Sequence, residues 1–258
     1  MKRRFSALLL GYGLLSGIGG AQAHQIWFEH TSPQALVLHY GEYDKNMLEV
    51  TPGGLDRFQA LKGWSAQGAT ALKLERQRDA FTVAYQPAVQ DSLLAADPHY
   101  PIFELHEQGK KLKAYWTPAT RWVGDLRQRQ PVLELDIVPT GEEEGATAQF
   151  QVFYQQKPLA DQAVLLETGP GQVFTQTSDA NGKVSFELPW QGTYVVAAEY
   201  KVNAPGQRLD PQQQPQAYDV RSFSSTLSFH RSTGQAPLPR APSQLPASEK
   251  ARLAKASD

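Results

Sequence analysis

The sequence predicts an all-β fold made of two antiparallel β-sandwich-like units. Three observations predict it. Short apolar segments recur along the chain, turn-forming Gly, Pro, Asp or Asn residues bound them, and no long stretch repeats apolar residues at helical spacing. The chain has 258 residues, of which 41% are hydrophobic, so each unit has enough chain to bury a core.

The first unit, residues 24–141, contains seven short segments with the composition of strands. Residues 55–61 follow a Pro-Gly-Gly turn and predict one short helix or turn, while 86–94 shows no clear period. The predicted strands are 26–29, 36–40, 71–75, 81–85, 102–105, 112–116 and 133–138.

The second unit, residues 142–231, follows a turn-rich loop at 139–145 and has a cleaner pattern. Strands return about every 8–12 residues, and turns such as 179–182 have hairpin chemistry, which is typical of an antiparallel sandwich. The predicted strands are 150–154, 163–167, 172–176, 184–188, 192–199 and 221–230, with a Gln- and Pro-rich loop at 206–216. Residues 232–258 predict a mobile, Pro-rich tail with a weak helix near its end.

Composition and charge exclude several classes of function. The formal net charge of −1 argues against a sequence-independent nucleic-acid binder, which needs a surplus of Lys and Arg. The chain has no Cys, which excludes disulfides, thiolate metal sites and Cys nucleophiles. Any metal site must therefore use His, carboxylate or backbone groups.

The N-terminus, residues 1–23, has the three parts of a secretory signal peptide. Lys2, Arg3 and Arg4 precede an apolar stretch at 5–18, and Ala-Gln-Ala at 21–23 is a small-residue cleavage site. Without the three basic residues the chain carries 22 Lys and Arg against 26 Asp and Glu, a net charge of −4. A Cys-free exported chain suits the periplasm, and no later stretch approaches the ~20 apolar residues of a membrane span.

Cleavage after Ala23 makes His24 the first residue of the mature chain. Its α-amine and its imidazole can then chelate one ion together, and both are nitrogen donors suited to Ni(II), Co(II), Cu(II) or Zn(II). A Cu(I) carrier is disfavoured because Met47 is the only Met left after cleavage. His24 is therefore the predicted primary ligand.

The other five histidines form no HExxH or HxH pair. His99 follows Asp97 and Pro98 in a predicted turn and is the favoured additional ligand. His39 alternates with apolar neighbours and is expected to be a half-buried strand residue. His230 ends the last predicted strand and is expected to be exposed.

Several sequence segments together resemble family 4198 of the domains of unknown function. They are AHQIW at 23–27, GEYDKNMLEVTPGGLDRF at 41–58, LELDIVPTG at 133–141 and GKVSFELPWQGTYVVAAEY at 182–200. The resemblance covers 23–230. It implies an exported protein similar to the periplasmic part of nickel and cobalt uptake systems, with His24 and Glu42 as site residues. The second unit also resembles the prealbumin-like or carboxypeptidase-regulatory sandwich, in which Trp190 and Tyr194 are structural.

Three functions follow as hypotheses. The first is a periplasmic divalent-metal-binding protein that supports nickel or cobalt uptake, with His24, His99 and Glu42 as ligands and an inner-membrane metal transporter as partner. The second is a copper(II) histidine-brace protein, either a carrier or an oxidative enzyme. The third is a metal-free binding or scaffold module. The sequence has no GxSxG elbow, P-loop or HExxH motif, so a non-enzymatic role is favoured.

Overall fold

The computed structural model describes residues 24–32, 35–67 and 70–255, and the predicted signal peptide lies outside them. The described chain is mostly β, as predicted. It has one 3-10 helix at Gly54–Arg57 and one α-helix, α1, at Ala247–Lys255. The strands are β1 Gln25–Ser32, β2 Ala35–Glu42, β3 Met47–Leu48, β4 Lys62–Ser65, β5 Ala71–Leu72, β6 Leu74–Arg76, β7 Phe81–Val83, β8 Ser92–Ala96, β9 Phe103–Glu107, β10 Lys110–Val123, β11 Leu135–Glu144, β12 Thr147–Tyr154, β13 Lys157–Pro158, β14 Ala163–Thr168, β15 Val173–Thr177, β16 Lys183–Glu187, β17 Gly192–Val202, β18 Gly206–Leu209, β19 Pro215–Tyr218 and β20 Val220–Arg231.

One nine-stranded sheet runs through the molecule. Its order is β15-β14-β17-β20-β10-β8-β4-β5, with β9 added beside β10. The central pair, β10 and β20, is parallel from Ala114↔Val220 to Trp122↔Ser228, whereas the other pairs are antiparallel. Strands from both predicted units, 24–141 and 142–231, therefore hydrogen-bond within a single sheet.

Among the described residues, three smaller sheets accompany the large sheet, the smallest being the β18-β19 pair, and each half of the chain has its own hydrophobic core. The sheet β1-β2-β7-β6, with β3 beside β2, belongs to the N-terminal half, where Phe28, Leu38 and Trp122 share a core. The sheet β11-β12-β13, with β16 beside β12, belongs to the C-terminal half, whose core includes Phe150 and Leu227. Burying each such large apolar side chain stabilises the fold by about 1.5–3 kcal/mol.

A buried ion pair joins β10 to β11. Arg121 and Asp136 are both 0% exposed, and their side chains make hydrogen bonds of 3.1 and 2.6 Å. Asp136 also accepts hydrogen bonds from the backbone of Val132 and Leu133. A charge removed from water in this way is tolerated only when its partner and its hydrogen bonds are all present.

Most predicted strands are present, with shifted ends. The predicted loop at 206–216 instead contains the hairpin of β18 and β19, and the predicted loop at 139–145 belongs to the long β11–β12 hairpin. The sequence did not predict β4, a four-residue segment with little apolar signal that pairs with β8. The short helix or turn expected at 55–61 is the 3-10 helix at Gly54–Arg57.

The C-terminal tail was expected to be mobile, but it packs against the rest of the chain. Arg240 forms an ion pair with Glu29 at 2.7 Å and lies over the ring of Tyr43. Gln244 exchanges backbone hydrogen bonds with Asn46 and Leu48. Proline-rich composition predicts an extended segment, but it does not predict whether the rest of the chain offers a surface against which that segment packs.

Candidate metal-binding cleft at His24

The first two strands bring His24 beside two carboxylates. The antiparallel register Gln25↔Gly41 places His24 opposite Glu42. Gly41 has φ +151° and lies so close to β3 that a Cβ there would collide with the carbonyl oxygen of Met47. This close approach lets the chain turn back, and the backbone N–H of Glu49 donates to the carbonyl of Tyr40 at 2.8 Å.

The imidazole of His24 lies between these two carboxylates. Its Nε2 is 2.9 Å from Oε1 of Glu49, and its Nδ1 is 4.0 Å from Oε1 of Glu42. The ring of Tyr40 packs on it with centroids 5.2 Å apart. The His24 side chain is 17% exposed, so the ring is held in place but remains accessible.

Glu42 has one oxygen without a partner in the described chain. Its side chain is 4% exposed, and Lys45 binds Oε2. Oε1 is buried and has no hydrogen-bond partner there. Because an unsatisfied buried polar atom costs about 1–3 kcal/mol, such an atom in a folded protein indicates a missing partner.

The hydrogen-bond network favours one tautomer of His24. If Nε2–H donates to Glu49, Nδ1 carries the lone pair and faces the unpartnered Oε1 of Glu42. Two ligands at roughly 2.0–2.2 Å from one ion lie about 3.3–4.4 Å apart, depending on the angle between them. The 4.0 Å separation of Nδ1 and Oε1 falls in that range.

His24, Tyr40 and Glu49 line a cleft of about 370 Å³, and Glu42 lies outside its lining. The hydroxyls of Tyr40 and Tyr100 are 3.0 Å apart, and the ring of Trp116 packs edge-on against Tyr100. Burial, reinforced by Tyr100, raises the pKa of Tyr40 far above its usual range, so Tyr40 stays a neutral phenol. The cleft is lined by His24, Tyr40, Glu49, Arg57, Tyr100, Phe103, Leu105, Ala114, Trp116, Glu199, Ser222, Pro246, Ala247 and Ser248.

The structure brings together two of the three sequence-predicted site residues, His24 and Glu42. His99 does not line the cleft, although the next residue, Tyr100, does. The backbone N–H of His99 donates to Asp97, and its Nδ1 is buried without a hydrogen-bond partner in the described chain. The predicted turn made it possible for His99 to reach a metal site, but it did not determine the direction of the His99 side chain.

The remaining histidines are separate from the cleft. His39 is buried in β2 as expected, and burial lowers its pKa. His230 is exposed near the end of β20, also as expected.

Within the described ranges, no group of three or more His, Asp or Glu side chains is arranged to hold a metal ion. A site at His24 therefore needs a donor beyond the side chains, and the predicted α-amine is such a donor.

Sequence reasoning predicted only His24 among the residues that line the cleft, and the polar residues it missed include Glu49, Arg57, Tyr40 and Tyr100. Glu49 and Arg57 lie in the 41–58 segment that carries the family resemblance, which was the available signal. Their roles depend on the β2–β3 reversal and on the 3-10 helix, which bring them back to the first strand.

The fold and the cleft define an all-β protein with a histidine–carboxylate site beside its first strand. Residues 21–202 match the family described as Domain of unknown function (DUF4198), and the chain belongs to this family. The match ends at β17, so β20 and the tail lie beyond it. A comparison with curated proteins finds no match. Within the described residues, no helix is long and apolar enough to cross a membrane.

Proposed function

We propose that this protein is exported to the periplasm and binds a divalent metal ion there, through His24 as its mature N-terminal residue, in support of nickel or cobalt uptake. One observation carries the proposal. Oε1 of Glu42, which is buried and has no hydrogen-bond partner among the described residues, lies 4.0 Å from Nδ1 of His24, while Glu49 holds the other ring nitrogen.

The chemistry requires the free N-terminus. The α-amine and Nδ1 of one His close a six-membered chelate ring around an ion, and Oε1 of Glu42 adds an anionic third donor. Glu49 accepts Nε2–H and so orients the ring, as carboxylates behind metal-bound histidines commonly do. Lys45 occupies Oε2 of Glu42, which leaves Oε1 for the ion.

The donor set also suits a transport role. Two nitrogens and one carboxylate suit Ni(II), Co(II) and Cu(II), and the order of intrinsic affinity among these ions favours copper. The nickel or cobalt assignment therefore depends on which ion the protein meets in the cell. An ion that is held by only a few protein donors in an accessible cleft stays exchangeable. Delivery to an inner-membrane transporter requires such exchange.

The test is titration calorimetry of the chain beginning at His24, with Ni(II), Co(II), Cu(II) and Zn(II). The comparison protein carries an acetyl group on the α-amine of His24, which removes the amine as a donor and leaves the fold unchanged. We expect tight binding to the native N-terminus only. His24→Ala should abolish binding, and His230→Ala, at an exposed histidine on β20, should not change it.

The outcomes separate the three hypotheses. A preference for Ni(II) or Co(II) over Zn(II) supports the uptake function. Binding confined to Cu(II) supports the histidine-brace alternative. Equal affinity of both N-termini, or loss of binding in His230→Ala alone, contradicts the role of His24. If no ion binds, the metal-free scaffold is the remaining hypothesis.

A further inference from the structure

The His24 cleft is larger than a bare ion needs. A hydrated ion with six waters occupies roughly 200 Å³ at ~30 Å³ per water. The cleft offers about 370 Å³ and extends from His24 to β9 and β10.

Part of the cleft lining is apolar, beside polar residues that include Glu199 and Ser222. Trp116 donates its indole N–H to Ser224 at 3.1 Å, so the ring surface that faces the cleft is apolar. Phe103 is 39% exposed and lies beside it, with Leu105 and Ala114. Apolar and aromatic walls with a few polar groups are typical of small-molecule sites.

One cation stands at the rim of this space. Arg57 is exposed at the end of the 3-10 helix and lines the cleft together with Tyr100. Tyr100 in turn hydrogen-bonds Tyr40, which packs on His24. The guanidinium of Arg57 lines the same cleft as His24 and carries five N–H donors that a ligand could accept from.

The charges leave room for an anion. Among the residues that line the cleft, Arg57 and a bound divalent ion bring three positive charges, and Glu49 and Glu199 bring two negative ones. The surplus is positive, and guanidinium groups pair preferentially with carboxylates. His24 and Glu42 together offer three donors, so the ion retains positions for a second ligand.

We propose that the cleft takes its divalent ion as a complex with a small organic polycarboxylate chelator. His24 and Glu42 bind the ion, Arg57 binds a free carboxylate of the chelator, and the Trp116 wall packs against its carbon skeleton. This inference rests on the proposed metal-binding function and specifies its substrate class.

The test is equilibrium dialysis of the chain beginning at His24 with radiolabelled citrate, with and without Ni(II). We expect citrate to be retained only when Ni(II) is present. At a Ni(II) concentration that saturates the variant, Arg57→Gln should weaken citrate retention about tenfold or more, the loss expected for one charged hydrogen bond. Arg127→Gln, an exposed arginine outside the cleft, is the matched control.

The two proposals can fail separately. If Ni(II) binds but no citrate is retained, or if Arg57→Gln retains citrate as well as Arg127→Gln does, the chelator proposal is overturned and metal binding stands. If Ni(II) alone does not bind the native N-terminus, the proposed function itself fails. Circular dichroism checks that both variants are folded.

Discussion

The side-chain amide of Gln25 donates a hydrogen bond of 2.6 Å to the carboxyl group of Glu167, and both residues are buried. This pair joins β1 to β14, across 142 residues of sequence. His24 immediately precedes Gln25, so its position depends on a contact with the second half of the chain. The candidate cleft is therefore a product of the whole fold.

Glu167 should make the stability of the protein pH-dependent. Burial, followed by the nearby charge of Asp44, raises the pKa of Glu167 from its usual 4.5 to about 8. The folded protein then retains a proton that the unfolded chain loses, so this contribution is complete below pH 4.5 and is lost as pH rises through about 8. Urea unfolding across this range should show the free energy of unfolding falling by a few kcal/mol, at about 1.4 kcal/mol per pH unit.

Glu167→Gln should remove that part of the pH dependence, because the neutral amide still accepts the hydrogen bond from Gln25. The variant should be more stable than the wild type at alkaline pH. Glu187→Gln, at an exposed position on β16, serves as the control and should follow the wild type. Parallel curves for the wild type and Glu167→Gln would show that Glu167 has an ordinary pKa.

Glu49 should raise the affinity for the metal ion without binding the ion itself. Glu49→Gln weakens the acceptor for Nε2–H of His24 and so loosens the ring orientation. We expect a loss of about 10–100-fold in Ni(II) affinity, the range typical of such supporting groups. Calorimetry at fixed pH measures it, with Glu75→Gln, an exposed carboxylate paired with Lys73, as the control. An unchanged affinity in Glu49→Gln would mean that the contact with His24 is incidental.

Removing one charge of the buried ion pair between Arg121 and Asp136 should destabilise the protein strongly. Asp136→Asn leaves the guanidinium of Arg121 buried without its countercharge. The expected loss in the free energy of unfolding is about 3–5 kcal/mol, measured by urea denaturation. Glu75→Gln, which breaks an exposed pair, should change it by less than about 1 kcal/mol. A similar small loss in both variants would contradict the burial of the Arg121 pair.

Arg240 should hold the tail in place. Arg240→Ala removes the ion pair with Glu29 and the contact over Tyr43, and we expect a loss of about 1–2 kcal/mol. Hydrogen exchange in 235–246 should accelerate, while the core strands β17 and β20 stay protected. Arg252→Ala, on exposed α1, should affect that helix alone. Unchanged exchange in 235–246 would show that other contacts hold the tail.

Strand positions were predictable because they follow from local patterns. In β12 buried and partly exposed residues alternate, as expected for a strand with one face on a core. His39 and His230 were also placed correctly, since a position within or at the end of a strand largely determines exposure. The local pattern did not predict β4 or the β18–β19 hairpin. These short segments contain polar residues and Pro, and they are strands because they pair with other segments in the folded chain.

By itself, the sequence determined the fold class and the family, and it predicted His24 and Glu42 as site residues, because those inferences use composition, periodicity and adjacent motifs. The tertiary structure alone decided what surrounds them. The parallel pairing of β10 with β20 joins residues about a hundred positions apart, and no local pattern encodes such a pairing. The same holds for Glu49, Arg57 and Tyr100, which reach His24 only after the chain has reversed at β3, because side chains distant in sequence meet through the packing of the elements that carry them.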